Sequence, residues 1–259
     1  MKRFFPTWSL VVLWPIALMR AQVMPPNEMG VAMGHLHLNV RNVEAAQSLW
    51  ILMGATAIKV DNTVAMKFPG VLIFLSPAAS SGGSVGTVVN HIGVSVPRNE
   101  EEFIASLKAA GVKTQRGHVS SPDDMDIEIH EDKSVTAPIA NRQIHFVVPE
   151  SSGQAAQAWY GKMFGAKPGT RSNIHVAELP GVRLNFYTSP DQKLPTKGRA
   201  LDHIGFEVKN LEAFCKKLEA NGVKLDHPYS KSRYPSYASA ELTDPWGTSI
   251  ELTEGLNRF

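Results

Sequence analysis

The stretch LDHIGFEV, Leu201 to Val208, sets Ile204, Phe206 and Val208 against His203, Gly205 and Glu207. This two-residue alternation is that of a strand with one buried face. The opening recurs as HLHLNV from His35, HIGVSV from His91 and HFVVPE from His145, at intervals of 56, 54 and 58 residues. Behind the first and third openings, Ala46, Leu49, Trp50, Met53 and Ala156, Trp159, Tyr160, Met163 fall at i, i+3, i+4, i+7. That period predicts amphipathic helices. Gly54, Gly111, Gly165 and Gly222 stand where four such helices should stop in a left-handed turn. Extended stretches follow each glycine, as in ATAIKV, TVAMKF and GVLIFL after Gly54.

The repeating unit is therefore a βαβββ module, present four times. One such unit does not close a core, so modules should pair. The expected fold is α+β, with consecutive modules paired into two cup-like half-barrel halves, 30–138 and 139–259. The second module runs only 17 residues from Gly111 to Glu128, against 29 from Gly222 to Glu251. It is expected to have a lost or shortened strand. Stretches rich in turn-forming residues separate the modules, notably SPAASSGGSVG and SPDQKLPTKGR.

Composition narrows the class. The chain has 259 residues, 43% hydrophobic and 19% charged, with a net charge of +2 and no basic cluster. It offers no surface for nucleic acid. At the N-terminus, Lys2 and Arg3 precede an apolar run from about Leu10 to Met19, and Ala21 follows. This is the order of a secretory signal, so residues 1–21 are expected to be removed and the protein to work in the periplasm or outside the cell. No stable membrane insertion is expected after processing. The single cysteine, Cys215, excludes an intramolecular disulfide and a thiolate zinc cluster, and its helical spacing predicts a packed side chain.

Side chains alternate across a strand, so each opening histidine lies opposite its apolar row and faces the inside of a cup. Glu251 and Glu128 share that parity on closing strands, each six residues after a proline. With consecutive modules paired, the C-terminal half offers His145, His203 and Glu251 to one cavity. The N-terminal half offers a second set, His35, His91 and Glu128. Two imidazoles and a carboxylate suit a divalent Fe(II), Mn(II), Zn(II), Ni(II) or Co(II) and leave positions open for a ligand. Arg183 and Asn185, on one strand face, and Arg233, Tyr234 and Tyr237, ahead of the next strand, are candidates to touch a substrate. His37, His130 and His175 are weaker alternates.

LDHIGFEV and DPWGTSIEL, with the fourfold layout over about Gly34 to Leu256, resemble the vicinal oxygen chelate superfamily of glyoxalase I, extradiol dioxygenases and bleomycin-binding proteins. The resemblance implies metal ligands at His145, His203 and Glu251. It also implies a small-molecule substrate held through adjacent oxygens, and chemistry of lyase, isomerase or dioxygenase type. A sequestering protein of the bleomycin-resistance kind is the alternative, and a homodimer is left open. The chain departs from glyoxalase I at Asn185 and Phe74, where a carboxylate base would stand. It departs from the extradiol enzymes at Glu241, where a tyrosine ten residues before the closing glutamate would stand. Glyoxalase turnover and catechol cleavage are accordingly expected to be poor.

Overall fold

A computed structural model describes residues 23–231 and 235–259; the expected signal segment, Arg233 and Tyr234 lie outside them. The first module comprises β1 (Val31–Val40), α1 (Val43–Met53), β2 (Thr56–Val60), β3 (Thr63–Phe68) and β4 (Val71–Pro77). The second is β5 (Val89–Val96), α2 (Glu100–Ala109), β6 (Lys113–Gln115), β7 (His118–Ser120) and β8 (Asp126–Glu131). The third is β9 (Ala140–Pro149), α3 (Gly153–Phe164), β10 (Lys167–Arg171), β11 (Ile174–Leu179) and β12 (Val182–Ser189). The fourth is β13 (Leu201–Val208), α4 (Leu211–Ala220), β14 (Leu225–Lys231), β15 (Ala238–Thr243) and β16 (Ser249–Glu254), followed by a 3-10 turn at Leu256–Arg258. The second module keeps all three closing strands, two of them cut to three residues.

Local chemistry explains the helix ends. Asn42 caps α1 by accepting the Ala45 amide at 2.8 Å. Gly54 and Gly165 end α1 and α3 with φ of 110° and 69°, a region costly for residues bearing a Cβ. Gly111 and Gly222 sit one residue further out, behind Ala110 and Asn221.

Two eight-stranded sheets result, ordered β14-β15-β16-β13-β1-β4-β3-β2 and β10-β11-β12-β9-β5-β8-β7-β6. The first and fourth modules make the outer sheet, and the second and third make the inner one. In each, the two opening strands pair antiparallel at the centre, and each has its module's last strand parallel on its other side. One apolar core draws on both sheets and on all four helices, with Trp50, Tyr160, Phe146 and Phe164 fully buried.

This pairing corrects the expectation that 30–138 and 139–259 would each close a half. Alternation assigns a side chain to a face, but it does not say which strand lies alongside. Two linkers cross between the sheets, residues 78–88 and 190–200. They run side by side: Leu194 N donates to Gly86 O at 3.1 Å, Val88 N to Leu194 O at 2.9 Å, and Ala200 N to Gly82 O at 2.9 Å. The chain leaves the outer sheet and returns to it along one track.

Candidate functional site

The outer cup gathers His35 and His37 from β1, His203 from β13 and Glu251 from β16. Each can offer one ligand atom within 4.8 Å of the others. His203 Nε2 lies 3.3 Å from Glu251 Oε2, and its Nδ1 lies 2.7 Å from Asp202 Oδ1. Asp202 is itself fixed by the Gly198 amide at 2.7 Å and Asn39 Nδ2 at 3.1 Å. A carboxylate behind the ring is the arrangement that orients a metal-binding imidazole. His35 Nε2 stands 2.9 Å from the same Glu251 oxygen, while its buried Nδ1 has no hydrogen-bond partner among the described residues.

Burial, together with His203 and His35, pushes the His37 imidazole down to about 3, leaving it neutral with a lone pair to give. Burial also lowers His203, but Asp202 and Glu251 on its two nitrogens more than offset this and hold it at about 9. The Nε2 atoms of His35 and His203 meet on one Glu251 oxygen with the neutral His37 ring beside them, a donor set that fits a divalent cation once His203 releases its proton. Phe74 stands edge-on to His35 at 5.2 Å, and Tyr237 lies 6.4 Å beyond Phe74. Ser76 Oγ lies 2.6 Å from His37 Nε2, and His35, His203 and Glu251 are buried.

The inner cup is built on the same plan but lined differently. His91 Nε2 and His145 Nε2 each lie 3.5 Å from Glu128 Oε2, with their rings stacked at 4.2 Å. Asn90 Oδ1, 2.9 Å from His91 Nδ1, takes the place that Asp202 has in the outer cup. His145 Nδ1 is buried without a partner, and burial with the neighbouring His91 pushes this imidazole down to about 3. A neutral His145 imidazole beside His91 and Glu128 fits a cation here too.

The inner wall is polar. Asn185 Nδ2 lies 3.1 Å from His145 Nε2 and donates to Gln143 Oε1 at 2.7 Å. Arg183 Nε donates to Asn185 Oδ1 at 2.9 Å, and Tyr187 stacks on His145 at 5.4 Å. His130 Nε2 stands 3.0 Å from Glu128 Oε2. His118 lies edge-on to His91, with Nδ1 3.1 Å from Asp126 Oδ2.

The histidines and glutamates of the sequence analysis thus regroup. His203 and Glu251 meet His35 and His37, whereas His145 meets His91 and Glu128; the sets His145, His203, Glu251 and His35, His91, Glu128 are each split between the sheets. The reason is again strand partnership, because β13 pairs with β1 and β9 with β5. Register also corrects the repeat. His37 pairs with His203 as His145 pairs with His91, and His35 falls opposite Gly205 as Gln143 falls opposite Gly93. Arg183 and Asn185 do share a cup face, and Tyr237 belongs to the other cup. His175 packs against Gly153 at the start of α3 rather than into a cup.

Sequence reasoning ranked His37 too low and missed His118, Asn90, Asp202 and Gln143. Three signals were present. An aspartate or asparagine precedes both His203 and His91, a glycine stands two residues after each, and His118 lies ten residues before Glu128.

Residues 142–252 match the model of the Glyoxalase/Bleomycin resistance protein/Dioxygenase superfamily. Glyoxalase I from Zea mays superposes with a TM-score of 0.70 at 15% identity, over 88% of this chain and 94% of the maize chain. A candidate dioxygenase from Bacillus subtilis subsp. subtilis str. 168 gives 0.65 at 14% identity, over 90% of this chain and 86% of the other. None of the curated proteins matches the chain in sequence. The family match covers the third and fourth modules, and the chain as a whole shares the fold of these proteins, as four modules that pair first with fourth and second with third.

Proposed function

We propose that the protein is a divalent-metal-dependent enzyme acting at the inner cup on a small substrate with two adjacent oxygen atoms. The observation that carries the reading is the His91, His145, Glu128 cluster. Three ligating side chains meet there on a polar, solvent-reachable wall. A protein metal site that keeps positions open in this way serves catalysis, whereas one filled by protein ligands serves structure. When bound, the ion would supply Lewis-acid polarisation to the substrate's oxygens.

The remaining work falls to the chain's own groups. Asn90 holds the His91 ring so that Nε2 faces the cluster. Gln143 and Asn185 offer amides beside His145, and the carboxylate there, Glu128, is taken up as a ligand. His118, steadied by Asp126 at Nδ1, keeps its other nitrogen for a proton and is the group we assign to proton transfer. The outer cup, with four candidate ligating side chains, three of them buried, we take to hold a second ion that braces the fold. We also take the protein to be exported, on the order of charged, apolar and small residues at 1–21. Intact-mass measurement on secreted material tests this, and an uncleaved chain in the cytoplasm would refute it.

The test of function is turnover of a panel of diols, hydroxyketones and hemithioacetals by protein loaded with each metal in turn. His118→Asn should lower kcat by about 10²–10⁴-fold with unchanged metal content. Tight binding of the panel with no turnover by any metal form would instead favour a sequestering protein.

A further inference from the structure

A cavity of about 780 Å³ opens beside the inner cluster and meets it through His130, Gln143 and Arg183. Two features of its lining stand out. Asn141 is only 4% exposed, yet neither its amide nitrogen nor its amide oxygen has a hydrogen-bond partner among the described residues. A buried amide left in this way costs roughly 1–3 kcal/mol unless something in the cavity satisfies it. The second feature is the Arg183 guanidinium. It is half-buried, and among the described residues its Nε donates to Asn185 while its two terminal nitrogens make no hydrogen bond.

Among the described residues no carboxylate oxygen comes within 4.0 Å of Arg183, including that of Glu178, its cross-strand neighbour. Arg171 also lines the cavity and is likewise without an ion-pair partner among them. The cavity's other acids are engaged, Asp132 with Arg142 at 3.6 Å and Glu131 with Lys133 at 3.2 Å. An unpaired guanidinium with a free fork is the group suited to bidentate recognition of a carboxylate or phosphate.

We infer that this cavity is a recognition pocket for an anionic group, so that the substrate carries a carboxylate or phosphate on Arg183 and Asn141 while its adjacent oxygens reach the Glu128 cluster. The inference rests on the proposed chelating function and narrows its substrate class. The geometry supports one molecule across both features, because Arg183 touches Asn185 and Asn185 touches His145. The cavity volume is within the ordinary range for small-molecule sites.

The test uses the full chain loaded with Zn(II), and calorimetric titration with two probes that differ by one carboxylate, catechol and 3,4-dihydroxybenzoate. The carboxylate should improve binding by about tenfold or more, the scale of one charged hydrogen-bonded pair. Arg183→Gln should collapse that ratio toward one. Arg171→Gln, a change at an exposed side chain, should reduce it by a smaller factor and guards against a misfolded Arg183 variant. Benzoate and inorganic phosphate, added as competitors, distinguish the two anions; competition by either supports the pocket and competition by neither overturns it. Equal binding of both probes by the unmodified chain overturns the inference and leaves the chelate reading intact. A carboxylate preference that persists without metal and vanishes in Arg183→Gln supports the pocket even if catechol does not bind at all.

Discussion

A side chain at Gly205 would run into the imidazole of His35, its cross-strand neighbour, because the ring lies across the β13 backbone where a Cβ would stand. The glycine is thus part of the outer histidine–glutamate cluster without contributing an atom to it. Gly205→Ala should cost about 1–3 kcal/mol, the usual penalty for overpacking a tight site. It should also weaken metal binding in the outer cup by about 10–100-fold, as expected when a ligand loses its support. Urea unfolding and metal titration check the two effects, and a variant unchanged in both would refute the role. The single-residue chemistry was only half legible in the sequence. Parity put His91, His145, His203, Glu128 and Glu251 on cup faces, because a strand's period is local. It gave no access to cross-strand facts such as Gly205 lying under His35, or Asn185 reaching Gln143 two strands away from β5.

At the level of elements, α3 is tied to the loop between β15 and β16, so that a helix of the inner pair holds a turn of the outer one. Tyr160 Oη donates to Asp244 Oδ2 at 2.8 Å, with both side chains buried. Asp244 also accepts the Trp246 amide at 2.9 Å and the Thr248 amide at 2.7 Å, which shapes the turn entering β16 and hence the placement of Glu251. Burial raises the Asp244 carboxyl, and the Tyr160 hydroxyl is among the donors that oppose this. Tyr160→Phe should therefore destabilise the fold by about 1–3 kcal/mol, the cost of leaving a buried acceptor short of a donor. Denaturant titration measures it, and no change would show that the backbone amides suffice. The helices and their glycine stops were legible because capping chemistry lies within a few residues of the helix end. Strands β6 and β7 were legible only as a shortening, since three-residue strands carry almost no periodic signal.

For the molecule as a whole, the two cups predict two metal populations in one chain. Metal analysis should find two divalent ions per chain after loading, the inner one removed first by a chelator because its wall is open. His91→Ala should lose one ion together with turnover. His203→Ala should lose the other and lower the melting temperature, with any effect on turnover following stability. Loss of both ions from either variant would show that the cups are a single coupled site. The fold class was readable from the fourfold repeat, whereas the pairing was not, since nothing in a strand's own composition names a partner far away in sequence. That pairing nests one couple of modules inside the other like brackets. On a ribosome, the inner bracket can close as soon as β12 has emerged, while β1 must wait for β13; Asn39 and Asp202, which meet across that seam, are 163 positions apart. Pairing over such a span slows folding, and it leaves a hydrogen-bonding edge of β1 uncovered during synthesis. Until the last module arrives, that edge of β1 stays open to pairing with another strand, a vulnerability that the order of the modules writes into the chain's own synthesis.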